Sequence, residues 1–195
     1  GDQLTLQHPA LAELTADDVV LMVESVGRAK ARPWHKQKLA FVWSAMRHFA
    51  HRLRQDGFEV DYHELAHSPG DLRDLLQTHL RKYQPDRLLL METAEYGRAE
   101  ALAKSAEGTG VNVKLLDNTM LISSREKFAQ QAEGKSSLVM EHFYRDMRRA
   151  TGLLMTEDDP VGGRWNFDKE NREPPPDDTA FPESPRFEPD EATQD

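Results

Sequence analysis

Two rhythms of apolar and polar residues alternate along the first 155 positions. Val19-Val20-Leu21-Met22-Val23 is a short continuous apolar run, and Arg87 to Met91 is apolar from Leu88 onward, the pattern of buried parallel strands. Between them the rhythm changes. From Lys38 to Arg54, Leu39, Val42, Met46, Phe49 and Leu53 recur at spacings of three and four, which puts them on one helix face. Gly57 stands where a helix C-cap is expected. Phe58 to Leu65 alternates apolar and polar residues, predicting a strand nearer an edge. Asp71 to Tyr83 predicts a second helix with Leu72, Leu75, Leu76 and Leu80 inward and Pro85 after its end. Ala99 to Glu107 predicts a helix followed by Gly108 and Gly110. Val111 to Leu116 predicts a strand, Ser124 a cap for a helix over Arg125 to Ala132, and Leu138 to Arg149 a last helix stopped near Gly152.

Strands alternating with helices at this spacing predict βαβ units: an α/β domain with a parallel sheet and helices on both faces. Such sheets bind ligands beyond the carboxyl ends of their strands. The loops of interest are therefore Glu24 to His35, Glu92 to Arg98 and Asp117 to Leu121. The chain opens on the loop-like Gly1-Asp2-Gln3-Leu4, where a doubly wound domain usually opens on a strand; either the sheet is small or a strand lies ahead of Gly1. From about residue 156 the periodicity fades. Pro174-Pro175-Pro176, then Pro182, Pro185 and Pro189, exclude a regular helix or a central strand. The expected organisation is an α/β domain over residues 1–155 and a Pro/Gly/acid-rich linker or surface-hugging arm over 156–195.

Charge sharpens that division. Of the net −9, the tail from Glu173 onward holds −7, with eight acids against Arg186 alone. The remaining −2 leaves the body near neutral, so total charge does not argue against a nucleic-acid partner. Cysteine is absent, which excludes disulfides, thiol nucleophiles and cysteine-held iron–sulfur clusters within these residues. No signal peptide opens the chain and no apolar run reaches membrane-spanning length, so a cytoplasmic protein without membrane contact is expected.

Candidate chemistry is sparse. Gly162-Gly163 lacks the strand–turn–helix setting of a phosphate loop. His48 and His51 lie three apart on the polar side of the long helix, and His63 and His67 lie four apart. Solvated histidines are expected there and no metal site, a metal-dependent hydrolase being the outlying alternative. Glu92 and Glu95 flank a strand-end loop without an obvious nucleophile, which favours ligand binding or capping over catalysis. Lys36 and Lys38 open the long helix, where cations are unfavourable unless something negative or electron-rich sits nearby. Arg145, Arg148, Arg149, Arg164 and Arg172 suit phosphate contacts or internal ion pairs with the interleaved acids equally. Trp165 and Phe167 have the character of anchors.

Several runs are more specific. Gly1-Asp2-Gln3-Leu4, His35-Lys36-Gln37-Lys38 and Ser44 to Ala50, then Met140-Glu141-His142-Phe143-Tyr144-Arg145-Asp146-Met147-Arg148-Arg149, Thr151 to Met155 and Pro160 to Arg172, together resemble the bacterial iron–sulfur cryptochromes and photolyases, or photolyase-related proteins. The resemblance implies a Rossmann-like N-terminal domain whose first strand ends at the residues matching Gly1-Asp2. It also implies an antenna chromophore of ribityl-lumazine type, and a linker to an all-helical domain holding FAD and a 4Fe-4S cluster. That helical domain and its cysteines have no counterpart in these residues. Full-length members repair six-four lesions in DNA with light or act as photoreceptors. This part would position the antenna and pack on the flavin domain, with no catalytic residue of its own. On this resemblance the antenna contacts are Asp2, Gln3, Glu24, His35, Val42 and Glu95, while Arg164 and Arg172 serve DNA or the flavin domain. A photoreceptor arm or truncated binding module is the rival reading. The chain departs from the family pattern on the ligand edge. Arg28, Ala31 and Trp34 stand where an acid, a tyrosine and a histidine are usual. Thr93-Ala94-Glu95-Tyr96-Gly97 replaces Pro-Gly-Glu-Trp-Arg. The expectation is a retained fold with an altered antenna pocket.

Overall fold

A computed structural model describes residues 3–67, 71–168 and 173–194, which fall into two units. The larger comprises Gly1–Leu121 with Glu188–Asp195. A 3-10 turn, Pro9–Glu13, precedes β1 (Val19–Val23), α1 (Val26–Lys30), α2 (Lys36–Gln55), β2 (Glu59–His63), α3 (Leu72–Tyr83), β3 (Arg87–Met91), α4 (Arg98–Ser105) and β4 (Asn112–Leu116). The smaller unit, Ile122–Phe187, holds α5 (Arg125–Ala132), α6 (Met140–Thr151) and a short antiparallel hairpin, β5 (Met155–Thr156) with β6 (Asp159–Pro160). A last helix, α7 (Glu191–Gln194), belongs to the larger unit.

The predicted elements form within a residue or two of their expected limits, and the strands run parallel. β1 pairs with β2 in the register Val19–Glu59 to Val23–His63, and β3 with β4 in the register Arg87–Asn112 to Met91–Leu116. Side-chain alternation then sorts residues to two faces. Val20, Met22, Val60 and Tyr62 turn to α2, where Phe49, Ala50 and the fully buried Leu53 receive them, with Leu11 of the 3-10 turn alongside. Leu21 and Leu88 turn the other way, against Leu76 and Leu80 of α3 and Ala106 beyond α4. Helices therefore cover both faces, a Rossmann-like α/β arrangement.

The single sheet expected from the pattern is instead two parallel pairs. Among the described residues no strand ladder joins β1 to β3. The pairs share α3, since Leu21 of β1 and Leu88 of β3 pack on the same helix cluster. Among the described residues, β1 and β3 each pair with one strand. Every residue of β1 is accordingly half-buried, not enclosed as its apolar run predicts.

Two further corrections concern segments expected to be irregular. The Glu24–His35 loop contains α1, started by Ser25, whose hydroxyl accepts from the Arg28 amide at 3.2 Å. The start of the expected linker forms the β5–β6 hairpin, with Leu154 and Glu157 in the left-handed region around its turn. The end of the tail returns to α2. Asp190 meets His48 Nε2 at 2.5 Å, and Ser44 and Thr193 share a hydrogen bond of 2.8 Å. The arm thus hugs the surface at its tip.

Candidate functional site

The carboxyl ends of β1 and β3 converge on one rim. Glu24, the first residue after β1, is fully buried. Its carboxylate accepts from Arg47 Nε of α2 at 2.8 Å, Tyr62 Oη of β2 at 2.8 Å and the Leu65 amide at 2.9 Å. Burial pushes the carboxyl pKa up, but the Arg47, Leu65 and Tyr62 hydrogen bonds outweigh it and hold it below the ordinary value. The same contacts drive Tyr62 the other way. Burial first, then the Glu24 carboxylate, raises its pKa. Glu24 is thus a knot tying β1, α2 and β2 together, with its acceptor oxygens spent on protein donors.

The neighbouring loop closes over the rim. Both terminal nitrogens of Arg28 donate to the two oxygens of Glu95, a bidentate bridge between the loop after β1 and the loop after β3. Arg98 adds a contact at 3.7 Å. Arg28, ahead of the other cations, holds the Glu95 carboxyl below its ordinary pKa. Trp34 Nε1 donates to the Arg28 carbonyl at 3.1 Å, and Lys38 Nζ lies 4.6 Å from the Trp34 ring centre. That ring is the electron-rich neighbour the α2 N-terminus requires. Arg28 and Trp34 build this closure.

The other expected contacts are distributed around it. Gln3 Nε2 donates to the carbonyls of Met91 and Glu92, both at 3.1 Å, where β3 ends. His35 is exposed and caps α2, its Nδ1 accepting from the Gln37 amide at 3.2 Å. Val42 is half-buried on α2. Asp2 and Arg172 lie outside the described residues. The structure thus brings Gln3, Glu24 and Glu95 to the strand ends and commits each of them to protein partners. A shallow polar recess formed by Gln77, Leu80, Gln84 and Gly108 lies toward the amino ends of β3 and β4, away from this rim.

The arginine cluster of the smaller unit is largely self-satisfied. Arg145 pairs with Glu141 at 2.9 Å and Arg149 with Asp146 at 3.3 Å. Buried Arg148 donates to Tyr144 Oη and to the carbonyls of Leu153 and Leu154. Trp165 packs among the three guanidiniums, 4.7 to 5.4 Å from its ring centre. Its anchor character is expressed within the unit. Arg164 stacks over Phe167 at 4.3 Å.

One grouping is absent from the expectations. Asp61 and His63 of β2 meet His79 of α3. The sequence carried a signal for it: His79 interrupts the apolar stripe of α3 next to Leu76 and Leu80, and Asp61 and His63 are two apart on one strand face.

Among the described residues no helix is long and apolar enough to cross a membrane. The family model of deoxyribodipyrimidine photo-lyase-related proteins matches residues 1–195. The chain is 38% identical to the (6-4) photolyase of Agrobacterium fabrum over 200 residues. That alignment takes in 100% of this chain and 39% of the relative, so the chain spans about two fifths of that protein's length. It is 21% identical over 140 residues to Uncharacterized protein R852 of Acanthamoeba polyphaga mimivirus, covering 70% of each. With parallel βαβ units on the page and the match running from end to end, the chain belongs to the deoxyribodipyrimidine photo-lyase-related protein family.

Proposed function

We propose that this chain is the N-terminal α/β arm of a light-driven flavoprotein that repairs six-four lesions in DNA, and that its strand-end rim does not hold ribityl-lumazine. The first part is supported by the 38% identity to a (6-4) photolyase along the whole chain. FAD and a 4Fe-4S cluster would then reside in a helical domain outside these residues, which contain no cysteine. In that protein a reduced flavin would donate an electron to a lesion flipped from the duplex. The chain's own share is to present a rigid face to the flavin domain.

The second part rests on one observation: Arg28 bridges Glu95 across the rim while Glu24 is consumed by Arg47, Tyr62 and Leu65. A pigment seated there would have to displace a bidentate ion pair and find its acceptors elsewhere.

The test is expression of the complete gene product with ribityl-lumazine supplied. Light-dependent repair of a six-four lesion, with flavin absorption and no stoichiometric near-ultraviolet pigment, is expected. Repair accompanied by a stoichiometric pigment overturns the closed rim. Flavin binding with no repair under light overturns the repair assignment and favours a photoreceptor arm.

A further inference from the structure

We propose that Asp61, His63 and His79 bind a borderline divalent cation of the zinc type, fastening β2 to α3. The inference is independent of the repair assignment, because none of these three side chains takes part in the Glu24 knot or the Arg28–Glu95 bridge.

The placement follows from two periodicities. Asp61 and His63 are two apart on β2, so both side chains leave the strand on the face that carries Leu21 toward α3. His79 lies one residue from Leu80 and three from Leu76 on α3, on the stripe that packs against that face. It is buried, whereas Asp61 and His63 are half-buried at the mouth.

The donor atoms converge. His63 Nε2 and His79 Nε2 are 2.9 Å apart. Asp61 reaches each imidazole with a different oxygen, Oδ1 to His63 Nε2 at 3.4 Å and Oδ2 to His79 Nε2 at 3.1 Å. Without a cation, two facing imidazole nitrogens must share a single proton. A divalent cation between the three groups engages both nitrogens and the carboxylate at once.

The dimensions suit it. Zinc–nitrogen bonds of about 2.0–2.1 Å place tetrahedral ligand atoms roughly 3.3–3.4 Å apart. Both Asp61–imidazole separations are near that spacing already, and the two imidazoles need to part by only about 0.5 Å. Two imidazoles and one carboxylate leave a fourth position for water, and nitrogen donors select zinc or cobalt over magnesium or calcium. A supporting hydrogen bond is present: Tyr83 Oη donates to Asp61 Oδ2 at 3.3 Å, and its ring lies 5.2 Å from that of His79.

The experiment uses the full chain, stripped with a chelator and titrated with zinc by calorimetry and with cobalt by visible absorption. One ion per chain at micromolar affinity or tighter is expected, with intense cobalt bands of a four-coordinate nitrogen-containing site and a raised thermal midpoint. His63→Ala and Asp61→Asn, both at half-buried positions, should each weaken zinc by at least about tenfold, and Tyr83→Phe by about tenfold. Absence of stoichiometric binding overturns the proposal. So does a weak octahedral cobalt spectrum, or zinc affinity unchanged in His63→Ala and Asp61→Asn, which would place the ion on surface histidines. The wild-type cobalt spectrum decides the matter even if a variant fails to fold.

Discussion

Replacing Glu24 separates a structural acid from a ligand-binding one. Its carboxylate has no solvent exposure and accepts from Arg47 Nε, Tyr62 Oη and the Leu65 amide, at 2.8, 2.8 and 2.9 Å. Glu24→Ala strips the Arg47 guanidinium of this carboxylate and leaves the Tyr62 hydroxyl and Leu65 amide facing a void. Breaking a buried pair in this way costs about 3–5 kcal/mol. Glu24→Gln keeps the volume and one acceptor oxygen, but turns an NH2 group toward donors and removes the charge. A loss of about 2–3 kcal/mol is expected, one charge-assisted hydrogen bond with part of a second. Tyr62→Phe removes one donor while the carboxylate keeps its others, and should cost about 1 kcal/mol. The ordering is read from urea unfolding followed by far-ultraviolet circular dichroism, as midpoint shifts at constant m-value. The pH profile adds a sign. The folded pKa of Glu24 lies below the ordinary 4.5, so its contribution is fully present above that value. It is lost as pH falls through the folded value. Wild type must therefore lose stability in acid more steeply than Glu24→Gln. A Glu24→Gln protein within about 0.5 kcal/mol of wild type, with a parallel acid limb, would refute the knot and return Glu24 to the rim as an available acid.

The same logic gives three smaller expectations. Leu53→Ala, in the fully buried contact of α2 with β1 and β2, should cost about 2–5 kcal/mol in the same unfolding assay. The tail docked on α2 should be pH-sensitive: His48 is raised chiefly by its hydrogen bond to Asp190, and Asp190 is lowered chiefly by the same bond. The His48 share is complete below its ordinary 6.5 and lost as pH rises through the folded value. The Asp190 share is complete above its ordinary 3.8 and lost as pH falls. Amide exchange over Glu191–Gln194 should thus be slowest, relative to a His48→Gln control, between those two values, and equal slowing at alkaline pH would contradict it. Arg148→Met keeps the buried stem but removes the donors to the Leu153 and Leu154 carbonyls. It should cost about 1.5–3 kcal/mol and speed amide exchange through the β5–β6 hairpin.

The elements were legible because periodicity reports directly on which face is buried. The runs Val19–Val23 and Arg87–Met91 mark β1 and β3, and the three-and-four spacing from Leu39 to Leu53 marks α2. What periodicity does not encode is lateral pairing. An apolar strand reads the same with a neighbour on one edge or on both, so the division into two pairs was invisible, as was the half-exposure of β1. The partners of the rim residues were hidden for a different reason. Gln3, Glu24 and Glu95 do lie at the strand ends, but a carboxylate's availability depends on which cations reach it through space. Arg47 is 23 residues from Glu24, and Arg28 is 67 from Glu95. Only the fold shows that Arg28 supplies the countercharge to Glu95. The metal cluster repeats the lesson with the opposite sign. Spacing alone pairs His63 with His67, yet on a strand the same-face partner is two residues away, and the third group comes across the layer from α3. A histidine inside an apolar helix stripe was the available clue, because burial there demands a partner for its ring nitrogens.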